Sequence, residues 1–284
     1  MPAVRQGARP SYHPGARRLS GVHLSGLDYL AAAGAAAAAG AVNALAGGGT
    51  LISFPTLVGI GVPSVAANIT NTVSLVPGYL GGSWAQRDDL RPQAKRARPL
   101  LAVAALGGLA GSILLVSIPA HAFRVAVPYL ILASCVLLLF QDRLRDRLRP
   151  PAPGQGDRVD PAGAQLGHWN AGLLVAVFGG AVYGGFFGAG LGIMLLAVLG
   201  LFSSEPLAKV NALKQALSFA VNLVAAAFFL FSGRVVWELV PVMAVASVLG
   251  GIGGGRLAKT VNAVVLRRLV VVAGVGVAVT FWVA

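Results

Sequence analysis

Long apolar stretches alternate with short polar connections along almost the whole chain. Apolar runs cover Leu27 to Gly61, Ser64 to Ala85, Pro99 to Ile118 and Phe123 to Phe140, and then His168 to Phe202, Pro206 to Phe231, Val235 to Gly255 and Ala263 to Ala284. Most of them approach the ~20 residues with which a helix crosses a ~30 Å hydrocarbon layer. The runs are continuously apolar and do not alternate residue by residue, which excludes a membrane β-barrel. The pattern predicts an all-α integral membrane protein of about eight transmembrane helices. Between the two groups of four lies a polar linker, Gln141 to Gly167, that carries Pro150, Pro151, Pro153 and Pro161. The predicted organisation is a basic disordered tail (1–26), a first membrane repeat (27–140), a polar cytoplasmic linker (141–167) and a second membrane repeat (168–284).

The word repeat rests on register. Pro63 matches Pro206, Asn68 matches Asn211, Gly107 matches Gly250, Gly111 matches Gly254 and Arg124 matches Arg267, every pair 143 positions apart with no gap. The first run of each half exceeds one plain crossing and is interrupted by glycines at the same relative place. Gly47, Gly48 and Gly49 interrupt one, and Gly184, Gly185, Gly188, Gly190 and Gly192 the other. Backbone unwound at membrane depth is tolerated only where it is buried in protein or lines a cavity, so these first helices are expected to be broken or re-entrant. Paired interrupted helices in two repeats point to a secondary-transporter architecture with its site between the repeats. Charge does not decide whether the repeats are parallel or inverted. Single crossings and re-entrant hairpins leave the same excess of Lys and Arg on the side of the Arg87–Arg98 loop. The tail has a competing reading as a leader, since Arg17 and Arg18 precede an Ala-rich run and Ala44-Leu45-Ala46 has a cleavage-site form. The equivalent segment lies in mid-chain, which argues against cleavage there.

Composition agrees with lipid as the solvent: 56% of residues are hydrophobic and 11% charged. The formal charge of +13 would suggest nucleic acid in a soluble protein. Here the basic residues sit in connections, with Arg87, Arg91, Lys95, Arg96 and Arg98 in one loop and Arg143, Arg145, Arg147, Arg149 and Arg158 in another. That is the distribution of cytoplasmic loops, and no aromatic residues interleave with it to stack bases, so no nucleic-acid partner is expected. Cys135 is the only cysteine, and no histidine pairs with another at a metal-ligand spacing; neither metal nor other cofactor is predicted.

Polar side chains at membrane depth carry the remaining information, because each is costly in hydrocarbon unless it faces protein or water. Asn211, Lys214, Gln215, Ser218 and Asn222 form one helical stripe, and Asn68, Asn71, Thr72 and Tyr79 occupy the matching helix. Asn68 is expected to face Asn211 across the interface. Lys214 falls ~12 Å along a helix begun at Pro206, with no acidic partner at membrane depth, since Asp28, Asp88, Asp89, Glu205 and Glu238 lie only at run ends or in connections. A lone ammonium there costs about 2.5 to 3.5 kcal/mol on insertion scales, and a bound anion would offset that cost. The half-helices that begin at Gly47 to Gly49 and at Gly190 to Gly192 offer backbone N–H groups and a positive dipole end to the same anion. The substrate-binding candidates are therefore Gly47, Gly48, Gly49, Asn68, Asn71, Thr72, Gly190, Gly192, Asn211, Lys214 and Gln215. Bland roles compete: amides and hydroxyls also join helices, and Gly107-x-x-x-Gly111 and Gly250-x-x-x-Gly254 read as packing seams. Pro63 and Pro206 read as first-turn residues, with Ser204 and Glu205 nearby as caps.

The run Ala46-Gly47-Gly48-Gly49-Thr50, then Pro63, Ala67-Asn68-Ile69-Thr70-Asn71-Thr72, Gly81-Gly82 and Arg87-Asp88-Asp89-Leu90-Arg91 resembles the sulfite exporter TauE/SafE family. So do Gly188-Ala189-Gly190-Leu191-Gly192, Asn211-Ala212-Leu213-Lys214-Gln215, Ser232-Gly233-Arg234 and the Gly250–Arg256 turn. The likeness covers residues 30 to 284 and implies transport of sulfite, sulfonates or related organic anions across the bacterial cytoplasmic membrane. An exporter or secondary transporter of a small anion, an anion channel of the same architecture and a membrane-embedded enzyme are the readings carried forward. The last is disfavoured, since no His/Cys/Asp/Glu constellation falls at membrane depth. The expected partners are the lipid bilayer and a small anion; association with further copies of the chain stays open.

Overall fold

The computed structural model describes residues 24–45, 47–147, 171–202, 205–257, 268, 270–272 and 274–279. The tail up to residue 23 and the linker from 148 on lie outside the described residues, as do Ser204 and Arg267. Among the described residues every regular element is helical. The order is α1 (Gly26–Leu45), α2 (Thr50–Gly59), α3 (Ser64–Ala85), α4 (Arg87–Leu90), a 3-10 turn (Arg91–Gln93), α5 (Ala94–Ser117) and α6 (Ala120–Arg147). Then follow α7 (Ala171–Phe186), α8 (Leu191–Phe202), α9 (Leu207–Phe229) and α10 (Val240–Leu257). Among the described residues three stretches are long and apolar enough to cross a membrane, Ala97–Ser117, Ala120–Phe140 and Ala208–Phe229. Leu27, Trp84, Val175, Leu201 and Phe231 are exposed large apolar side chains, as lipid permits and water does not favour.

Helix ends follow from residue chemistry. Pro63 and Pro206 stand one position before the first helical residue, in extended backbone, and their carbonyls accept the first helical bonds from Ala67 and Val210. They are N-caps, not first-turn residues. Glu205, just before α9, binds Lys209 Nζ at 3.0 Å. At the breaks, Gly47 and Gly190 both adopt left-handed backbone, φ 83° and 76°, where any side chain would be strained.

Packing joins elements distant in sequence. α1 lies along α10 and α5 along α7, while α3 and α9 each contact the other and one of those pairs. Both seams are made by glycines against bare backbone. A Cβ on Gly250 would run into the Ala37 carbonyl and one on Gly40 into that of Ser247; Gly111 sits in the same way on Val182 and Gly185 on Gly108. Such contact lets helix axes approach closely, which gains dispersion energy where lipid supplies no hydrophobic drive. α3 and α9 run antiparallel. Gln93, just past α3, reaches the Lys209 carbonyl at the start of α9, Gln86 meets Asn211, and Thr70 in the first turns of α3 accepts from Val236 N beyond α9.

Candidate functional site

The breaks meet each other at their backbones. A Cβ on Gly47 would lie 3.1 Å from Gly192 Cα, and the reverse contact is equally short, so a side chain at either position would press on the opposite backbone. Gly49 is enclosed more tightly still, since a Cβ there would collide with the Ala39 carbonyl, whereas Gly48 has ordinary room beside Leu138. The Gly49 N–H is already engaged by Asn43 Oδ1 at 2.8 Å, and Leu51 and Ile52 bond back to Gly48 and Gly49. At the second break Ser134 Oγ and Tyr183 OH both reach the Ala189 carbonyl, at 2.9 and 2.8 Å, and lie 2.7 Å from each other. Leu191 and Ile193 N–H groups turn back to Gly188 and Gly190. Several of the N–H groups expected to greet an anion are thus spent inside the breaks.

Lys214 is buried, 3% exposed, and no carboxylate pairs with it among the described residues. Its neighbours on the α9 stripe are polar. Ser218 Oγ, one turn on, is buried with no hydrogen-bond partner, and Asn222 Nδ2 donates to the Ser218 carbonyl at 2.8 Å. The Gln215 side chain lies on Gly82 of α3, where a Cβ would collide with it, and the Gln215 carbonyl accepts from Ser83 Oγ at 3.3 Å. Asn211 Nδ2 donates to Gln86 Oε1 at 2.7 Å. Tyr79 stands one turn before Gly82 on α3, and Ser218 one turn after Gln215 on α9, so the antiparallel pair brings both to one level. The buried Tyr79 hydroxyl hydrogen-bonds with Asn43, which holds the first break. Lys214, Gln215, Ser218, Tyr79 and Asn43 thereby form one polar region between α9, the second half of α3 and the first break.

The other α3 candidates fall elsewhere. Asn68 and Asn211 do not face each other: Asn211 meets Gln86, which stands ~27 Å further along α3 than Asn68. Asn68 Nδ2 instead donates to the Phe186 carbonyl at 2.9 Å, beside the second break. The expectation failed because matched residues share a position within the repeat, and an antiparallel pair carries matched positions to opposite ends. Asn68 Oδ1 and Asn71 Oδ1 are buried and unpartnered. Thr72 Oγ1 bonds the Asn68 carbonyl at 2.9 Å, a turn within its own helix. Asn43 escaped the sequence reading, though a lone asparagine in an alanine-rich run at membrane depth is itself the signal. Ser134 and Tyr183 escaped for a different reason, as single hydroxyls on separate segments show no common stripe. No group of three or more His, Cys, Asp or Glu side chains that could hold a metal ion occurs among the described residues.

Comparison with known proteins reaches the same region of sequence space. The family model described as Sulfite exporter TauE/SafE matches residues 32–281. A Haemophilus influenzae protein named "Probable membrane transporter protein" is 34% identical over 235 residues, 81% of this chain and 85% of its own. A Sinorhizobium protein named "Probable membrane transporter protein ORF9" is 26% identical over 250 residues, covering 86% and 88% of the two chains. The Escherichia coli K12 protein named "Probable membrane transporter protein YfcA" is 26% identical over 239 residues, 82% of each. No solved structure matches.

Proposed function

The chain belongs to the sulfite exporter TauE/SafE family, a multi-pass membrane transporter family, and on that premise we propose that it is a secondary transporter of a small anion such as sulfite, a sulfonate or another organic anion. The observation that carries the reading is Lys214, a buried cation without a carboxylate partner among the described residues, next to the unpartnered Ser218 hydroxyl. An anion bound there receives the ammonium, the hydroxyl and the amide of Gln215, and its charge offsets the cost of holding Lys214 away from water. Gly47–Gly49 and Gly190–Gly192 shape the middle of the molecule around it.

The proposed architecture is two repeats of four membrane segments, inverted with respect to each other in the cytoplasmic membrane. The helix bounds support it. Shifted by the 143-residue offset, α1, α2, α3 and α5 fall on α7, α8, α9 and α10 within a few residues. The two glycine seams exchange under the same shift, α1 on α10 against α7 on α5. Antiparallel matched helices α3 and α9 require an axis in the membrane plane, which is the inverted arrangement. Each α1–α2 and α7–α8 unit is then a re-entrant hairpin, and the Arg87–Arg98 loop and the linker share the cytoplasmic side.

The test is flux in proteoliposomes with sulfite, thiosulfate, sulfoacetate, sulfate and carboxylate anions. Saturable, gradient-coupled uptake of one of these is expected, and Lys214→Met should insert at wild-type levels while losing more than ~90% of that uptake, as the loss of a charged contact worth ~1.5–3 kcal/mol predicts. Flux that grows without saturation would make the protein a channel. Undiminished flux through the methionine variant would remove Lys214 from the site.

A further inference from the structure

At the boundary between the basic loop and Lys214, burial changes within a few residues. Arg87, Asp88 and Arg91 have exposed side chains, Gln86 and Asn211 are half-buried, and Lys214, ~4.5 Å further along α9 than Asn211, is closed off. Two amides span that boundary. Gln86, the residue that ends α3, accepts from Asn211 at 2.7 Å. Gln93, at the end of the 3-10 turn and itself buried, donates through Nε2 both to the Asp89 carbonyl at 3.1 Å and to the Lys209 carbonyl at 2.9 Å. The segment between them, α4 with the 3-10 turn, is thus tied to the start of α9 at both its ends. Below it the Gln215 side chain packs onto Gly82 and closes the gap between α3 and α9.

We propose that Gln86 and Gln93 form the gate between the basic face and the Lys214 site, holding the α4 segment over it until both amides release α9. The proposal rests on the reading of Lys214 as the anion site. Amides suit the task because each latch exchanges for a bond to water on opening, so the closed and open states differ by little. The opposite end of the molecule is built otherwise. Under the 143-residue offset Gln86 and Gln93 correspond to Phe229 and Val236, which are buried and apolar. Opening at that end exposes hydrocarbon to water, a cost the amide end does not carry. The two mouths of the proposed inverted repeat therefore differ in chemistry: one is latched by the side-chain amides of Gln86 and Gln93, the other is closed by the apolar side chains of Phe229 and Val236, with the Val236 backbone N–H on Thr70.

The test reads accessibility and needs no transported substrate. In full-length protein with Cys135→Ser, the one native cysteine is gone, Ser218→Cys reports on the site, and Asp88→Cys in a parallel sample marks the basic face. A membrane-impermeant anionic thiol reagent, whose charge suits a site built around Lys214, is applied to each face of sealed vesicles. Gln86→Ala with Gln93→Ala should raise the labelling rate at position 218 from the basic face about tenfold, the factor that accompanies loss of one or two net hydrogen bonds. Labelling from the other face should not rise. Asn211→Ala, which removes the donor from the α9 side, should act in the same direction and replaces the double variant if that fails to insert. Unchanged labelling from the basic face overturns the gate, whatever the flux. Faster labelling in a protein that moves none of the tested anions leaves the gate standing and removes the anion reading instead.

Discussion

Single residues in this protein answer to two different demands, room and polarity, and the glycines of the first break separate them. Gly48 and Gly49 look alike in sequence, yet a Cβ at 48 meets only side chains, Leu138 at 3.5 Å and Leu51 at 3.9 Å, whereas one at 49 enters the Ala39 carbonyl. Gly48→Ala should therefore leave stability and flux near wild type, and Gly49→Ala should cost ~1–3 kcal/mol through overpacking. Thermal unfolding in detergent measures both. Equal losses would mean that the break binds ligand through position 48, not that it only folds tightly. Asn43 has the other role: its Oδ1 holds the Gly49 N–H and its side chain bonds Tyr79, so it ties the break to α3.

Two helix pairs, α1 with α10 and α5 with α7, hold each other by backbone contact along glycine seams. The α1–α10 and α5–α7 pairs each join the first part of the chain to the second. Transport as a movement of one sequence half against the other would have to break both seams. The two seams cross that division, so the gate proposed above places movement at the α3–α9 contact, where the Gln86–Asn211 and Gln93–Lys209 bonds lie. Gly250→Leu, whose side chain would enter the Ala37 carbonyl, should separate α1 from α10 and lower the midpoint of thermal unfolding by several degrees. A larger residue at the outward Gly253, where nothing lies within 4 Å, should change little. If both substitutions behave alike, the seam does not carry the fold.

For the molecule as a whole, the antiparallel α3 and α9 favour one of the two topologies that charge leaves equal, the inverted one proposed above. The re-entrant, inverted arrangement puts Ser25, at the entry to α1, on the face opposite Asp88, and Glu238 on the same face as Ser25. Impermeant thiol labelling of Ser25→Cys, Asp88→Cys and Glu238→Cys, each in the Cys135→Ser background, should report that division. Ser25 labelled from the Asp88 face would require α1 and α2 to cross the membrane together and would make the repeats parallel. Trp84 near the basic loop and Trp237 beyond α9 are both exposed, as residues at the two membrane interfaces should be.

Much of this was legible in the chain itself. The order of apolar segments, the interruptions at Gly47–Gly49 and Gly188–Gly192, the seams at Gly107-x-x-x-Gly111 and Gly250, and the isolation of Lys214 depend on residue type and spacing, because hydrocarbon penalises each polar group wherever its partner lies. The 143-residue register belongs to the same class, since equivalence of positions is a property of sequence. The operator that relates those positions is not. Only the tertiary structure decided that α3 and α9 run antiparallel, that Asn68 and Asn211 lie at opposite ends of the pair, that Gln86 and Gln93 bind the start of α9, and that Asn43 holds the first break. The physical reason is that hydropathy and loop charge are unchanged when a helix pair reverses direction, whereas every contact between its side chains changes.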